Sequence, residues 1–100
     1  MNIYNKSTLI KFYGKYAETK KELELWYNEV SKARWIIPSD VTRDYSDASA
    51  VRNNRIVFNI RNNKYRLIVE FEYARGIAFI VFLGTHAEYD RIDATTVINF

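Results

Sequence analysis

The chain has no cysteine, a single proline, three glycines and one histidine in 100 residues. Without cysteine there is no disulfide framework, no thiolate metal site and no thiol nucleophile. So little proline and glycine, beside 48% hydrophobic and 16% aromatic residues, excludes long disordered stretches and indicates a packed core. Long apolar runs are also missing. The longest, Ile77 to Leu83, has the length of a strand and falls well short of the ~20 residues of a membrane span. The sequence opens Met1-Asn2-Ile3-Tyr4-Asn5-Lys6 with no apolar signal region, so a cytoplasmic protein without membrane contact is expected. There are no repeats or linker-like segments, and residues 1–100 read as a single domain.

What the chain does have is a local excess of positive charge. Residues 1–50 hold eight basic and seven acidic side chains, and residues 51–100 hold seven and five. Within that near balance, Arg52, Arg55, Arg61, Lys64 and Arg66 form a run with no acidic residue among them. A basic patch on an almost balanced protein points to a phosphate-bearing partner at one face. The structural alternative is a solvated hairpin whose arginines keep a sheet edge soluble.

Two helices are expected in the first third. Asn5 or Ser7 can cap the first, in which Leu9, Phe12, Tyr13, Tyr16 and Ala17 follow the spacing of a buried stripe. The second runs from about Lys20 to Trp35 with Leu23, Trp26, Val30 and Ala33 inward, and Pro38 ends it. Ser39-Asp40 can start a short helix or turn through Tyr45, and Asp44 to Ala50 reads as loop. From Arg55 the period becomes two, with Ile56, Phe58 and Ile60 on one face and Arg55, Val57 and Asn59 on the other. Asn62-Asn63 suits a two-residue turn because asparagine tolerates positive φ. Tyr65 to Tyr73 alternates clearly, Ala74-Arg75-Gly76 suits a three-residue loop, and Ile77 to Leu83 reads as a central strand covered on both faces. The polar tail from Glu88 reads as a short helical turn followed by a terminal strand or arm.

These turns imply a register. The first hairpin pairs Arg61 with Lys64, Asn59 with Arg66 and Arg55 with Glu70. A three-residue second loop pairs Tyr73 with Ile77 and brings His86 opposite Lys64; a slip of one residue would turn His86 to the other face. On the first register, Asn59, Arg61, Lys64, Arg66 and His86 converge at one end of a sheet face. Arg52 lies before the strand, and Arg55, beside Glu70, has the stronger structural reading.

Such a cluster suits phosphodiester transesterification on RNA without metal or cofactor. A base takes the 2′-hydroxyl proton, cations stabilise the charge gathering on phosphorus, and an acid protonates the leaving 5′-oxygen. Histidine titrates near neutral pH, so His86 can serve as base or acid. Arg66 is the bidentate clamp and Lys64 a supporting point charge, with Asn59, Arg61, Arg55 and Arg52 as further RNA contacts. Tyr89 can stack on a base or offer a hydroxyl, and Asp90 can orient His86. Each has a structural alternative: a surface histidine, a tyrosine capping the core, an aspartate paired with Arg91 or Arg75.

Asn53-Asn54-Arg55-Ile56-Val57-Phe58-Asn59-Ile60, Asn63-Lys64-Tyr65-Arg66-Leu67 and Gly84-Thr85-His86-Ala87-Glu88-Tyr89-Asp90-Arg91-Ile92-Asp93 resemble the HigB family of RelE-like toxins. Leu25-Trp26-Tyr27 and Ala33-Arg34-Trp35 ahead of Pro38 extend the likeness over nearly the whole chain. The resemblance implies an α+β fold, N-terminal helices packed on a C-terminal antiparallel sheet. It implies a metal-independent endoribonuclease (an mRNA interferase) that cuts mRNA on the ribosome, and a cognate antitoxin of helix-turn-helix type. The positions that carry over are Lys64 and Arg66, and His86, Tyr89 and Asp90. Ala87 stands where relatives often have lysine, which removes one phosphate contact. Two other readings stay open: a non-enzymatic RNA- or ribosome-binding module using the same face, and a protein-interaction domain whose arginines meet an acidic partner.

Overall fold

In the computed structural model, which describes residues 1–98, the middle layer is a five-stranded sheet. Its strands are β1 (Asn2–Tyr4), β2 (Ser49–Val51), β3 (Arg55–Ile60), β4 (Tyr65–Glu72) and β5 (Ile77–Thr85), in the order β1-β5-β4-β3-β2. Neighbours from β2 to β5 run antiparallel, and β1 adds a parallel edge against β5. Helices α1 (Lys6–Lys15), α2 (Lys20–Lys32) and α3 (Pro38–Asp44) pack on one face. The short α4 (His86–Tyr89) and the chain as far as Val97 cover the other. This is the expected α+β arrangement, with the sheet mixed because of β1.

Alternation along the strands divides the core as the sequence indicates. Phe58, Leu67 and Phe71 enter the helix-side core, while Val57 and Ile68 face the outer layer. Leu23, Trp26 and Val30 are the buried stripe of α2. That helix stops at Lys32, short of Trp35, because Ala33 turns extended and the Trp35 indole N–H donates to Asp44 Oδ2 at 2.9 Å. Pro38 therefore opens α3 and does not end α2; at the first helical position its missing N–H is harmless. Asn5 precedes α1 with φ of 74°, and its amide donates across the fold to the Ile80 carbonyl.

The segment expected as loop after Asp44 contains β2, which pairs with β3 from Ser49 against Val57 to Val51 against Arg55. A three-residue edge strand of small residues has no hydrophobic alternation to betray it. After α4 the chain proceeds in turns, with no strand beyond Thr85 among the described residues. The helical turn begins at His86, ahead of the expected Glu88, and the end of the expected terminal arm, residues 99 and 100, lies outside them.

The first hairpin has the register its asparagines imply. Asn62 and Asn63 sit at φ of 52° and 75°, the Lys64 N–H donates to the Arg61 carbonyl, and Asn59 faces Arg66. The second hairpin departs from expectation. Tyr73–Arg75 form a 3-10 turn closed by left-handed Gly76, so it is Glu72, not Tyr73, that pairs with Ile77. A β-bulge then reverses the slip: Val69 faces Ile80 but Ile68 faces Phe82, leaving Val81 as the extra residue. Beyond the bulge Tyr65 faces Thr85, and the His86 N–H donates to the Lys64 carbonyl at 3.0 Å. His86 thus reaches its expected neighbour through two offsetting irregularities.

Candidate active site

The site is built where β5 ends. The Thr85 hydroxyl accepts from the Glu88 N–H at 3.1 Å, and the Glu88 carboxylate accepts from the Thr85 N–H at 2.8 Å. This reciprocal capping box folds α4 immediately after the strand, bringing His86 and Tyr89 beside Arg66 of β4, with Asp90 next to His86. Thr85-x-x-Glu88 is a recognisable signature, and it was the sequence signal for where α4 begins. Gly84 makes the close packing possible. A Cβ there would lie 2.7 Å from Phe82 Cζ and 3.0 Å from Glu88 Oε1. Gly84→Ala is therefore expected to lower stability by roughly 1–3 kcal/mol, as overpacking does. An unchanged urea midpoint would contradict that.

Arg66 projects from β4 into this corner. Its guanidinium carbon stands 4.7 Å from the centroid of the Tyr89 ring, and Nη2 lies 3.3 Å from His86 Nδ1. No carboxylate pairs with it among the described residues, and its Nε is buried without a hydrogen-bond partner there. The cation–π contact with Tyr89 and packing hold this arginine, and its hydrogen-bonding capacity is largely unspent. Tyr89 is the floor beneath it, partly buried against the outer core.

The half-exposed His86 ring has three polar neighbours. Nδ1 lies 3.2 Å from the Asn63 carbonyl as well as 3.3 Å from Arg66 Nη2, and Nε2 lies 3.5 Å from Asp90 Oδ2. A carbonyl only accepts and a guanidinium only donates, so Nδ1 serves one at a time. When bare it accepts from Arg66; when protonated it donates to Asn63. A doubly protonated ring satisfies Asn63 and Asp90 together and leaves Arg66 without its histidine contact. Asn63 had no signal in the sequence for this part, because any residue type supplies a carbonyl.

The other basic residues do not gather here. Strand alternation fails at the left-handed residues Arg61, Asn62 and Asn63, so Lys64 leans toward the helix layer. Its Nζ bonds Glu18 at 3.0 Å, and Arg61 Nε lies 3.8 Å from the same carboxylate. The expected convergence of five side chains on one face is corrected accordingly: Arg66 meets His86, while Arg61 and Lys64 turn away. Asn59 stays beside Arg66 in the ladder, but its amide donates to the Asp47 carbonyl. Arg55 is buried, with Nε 2.9 Å from Glu70 and Nη1 bonding the carbonyls of Ala94 and Val97. Arg52 is exposed in the turn before β3, at the far end of the sheet. Among the described residues no three His, Cys, Asp or Glu side chains group so as to hold a metal ion, and no helix is long and apolar enough to cross a membrane.

A five-stranded mixed sheet with three helices on one face is an α+β fold consistent with a RelE-like toxin. The family model for HigB toxins, described as the RelE-like toxic component of a toxin–antitoxin system, matches residues 19–92. The chain belongs to this family, and it is the toxin of a toxin–antitoxin system. An antitoxin partner follows from that membership. No curated protein matches the chain.

Proposed function

We propose that the protein is a metal-independent endoribonuclease that cleaves mRNA on the ribosome in the cytoplasm, inhibits translation, and is held in check by a helix-turn-helix antitoxin. The observation that carries this reading is the Arg66–His86 pair: a guanidinium with no carboxylate partner among the described residues, in contact with the chain's one imidazole. Arg66 grips the scissile phosphate, with the Tyr89 ring holding its guanidinium in place. His86 takes the 2′-hydroxyl proton, and the 2′-oxygen forms a bond to phosphorus. The bond from phosphorus to the 5′-oxygen breaks, and that oxygen takes a proton from water. The proton gained by His86 has a place to go, because Asn63 and Asp90 stand ready to accept from both ring nitrogens. Release of Nδ1 by Arg66 then coincides with the guanidinium's engagement of the phosphate.

Mapping RNA ends in cells producing the toxin without antitoxin tests the reading. New messages ending in 2′,3′-cyclic phosphate with 5′-hydroxyl partners are the expected result. Growth arrest with intact message would instead favour a non-enzymatic module that binds RNA or ribosomes through the same face.

A further inference from the structure

Arg61 and Lys64 lie on the helix side of the turn whose Asn63 carbonyl meets His86, and they frame a cleft of about 420 Å³ together with Glu18, Glu22 and Asn62. The turn is fixed from both sides. The Arg61 N–H donates to Glu22 Oε1 at 3.0 Å, and the Lys64 carbonyl is tied to the His86 N–H. Two cations held this way, 3.0 and 3.8 Å from one carboxylate oxygen, have the arrangement of a receptor for a phosphate oxygen. The carboxylate that fills it comes from the 3-10 turn Ala17–Thr19, which precedes α2. Hydrogen bonding to Lys64 holds the Glu18 carboxyl below the usual carboxylate range. All three side chains remain partly open to solvent, and exposed ion pairs of this kind are weak and exchangeable.

We propose that Arg61 and Lys64 form a second phosphate-binding subsite for the RNA strand gripped at Arg66, and that Glu18 occupies it in the free protein as a phosphate mimic. The two sites lie on either side of Asn63, so one strand passing over the turn presents phosphates to both. Glu18 withdraws as the strand enters. The proposal rests on the RNA reading of the Arg66–His86 site and adds to it where the strand continues. In the free protein the same contact leaves Arg66 as the open cation beside the histidine, which limits non-specific capture of polyanions.

The test is binding of a short 2′-O-methyl RNA oligonucleotide, which carries every phosphate but no attacking hydroxyl. Glu18→Gln is expected to bind it roughly fivefold more tightly than the wild type, about the worth of one exposed ion pair. Glu24→Gln changes net charge equally from an exposed position on α2 and is expected to do much less. In a Lys64→Ala, Arg61→Ala background the gain from Glu18→Gln is expected to vanish. Equal affinities for Glu18→Gln and Glu24→Gln, or a gain that survives without the two cations, would overturn the subsite. If RNA ends form in cells and the two glutamate variants bind alike, the subsite fails and the nuclease reading stands. If Glu18→Gln binds more tightly and no ends form, the subsite stands and the chemistry fails.

Discussion

His86→Ala and Arg66→Ala are each expected to reduce RNA cleavage by about a hundredfold or more and to abolish growth arrest in cells lacking antitoxin. Loss of a positioned acid–base group is worth about 10²–10⁴ in rate, and loss of a preorganised charge donor about 10²–10³. The two losses should not add, because the histidine and the guanidinium share one contact and act as a unit. Arg66→Lys is expected to recover little: a lysine keeps the charge but has no planar fork to sit over Tyr89 and reach His86 Nδ1 at once. His86→Ala should melt close to the wild type, since the ring is half-exposed and its partners Asn63 and Asp90 are themselves open to solvent. Full toxicity of either alanine variant at wild-type protein levels would place the chemistry elsewhere.

Arg55→Ala is expected to lower stability by about 3 kcal/mol, more than at any other arginine in the chain. The guanidinium is only 5% exposed and joins Glu70 to the carbonyls of Ala94 and Val97. Breaking one side of a buried pair leaves the other charge uncompensated, typically by 3–5 kcal/mol, and the partial exposure of Glu70 puts this case at the lower end. The variant also frees the segment that lays Ile92, Ala94 and Val97 over the outer core. Urea unfolding should therefore show a lower midpoint, and amide exchange should show faster opening of residues 92–97. A midpoint within 0.5 kcal/mol of the wild type, the usual range of a surface substitution, would contradict this role.

How far the sequence could be read depended on where the information was local. Asn62-Asn63 specified the first hairpin because turn chemistry and register are set by the same two residues. Leu23, Trp26 and Val30 specified α2 by period alone. The Arg55–Glu70 pair followed from register, but the two carbonyls that complete its surroundings did not, since backbone acceptors some forty residues away carry no residue-type signal. Lys64 was misplaced because alternation was carried through residues with left-handed backbone, where it no longer holds. Glu18 and Glu22 carried no sequence signal for their partners, because only the packing of the Ala17–Thr19 turn and α2 beside the hairpin turn brings them together.

The extra residue at Val81 decouples the two ends of the second hairpin. Because the bulge lies between the Gly76 turn and His86, the two ends of the β4–β5 ladder are indexed separately. The outer end answers to the 3-10 turn at Tyr73–Arg75, and the inner end answers to the bulge and the Asn62-Asn63 turn. A residue added to or removed from the outer turn can be taken up at the bulge, with His86 still reaching the Lys64 carbonyl. Loop length there is thus a free parameter of the fold, while the spacing from Val81 to His86 is not.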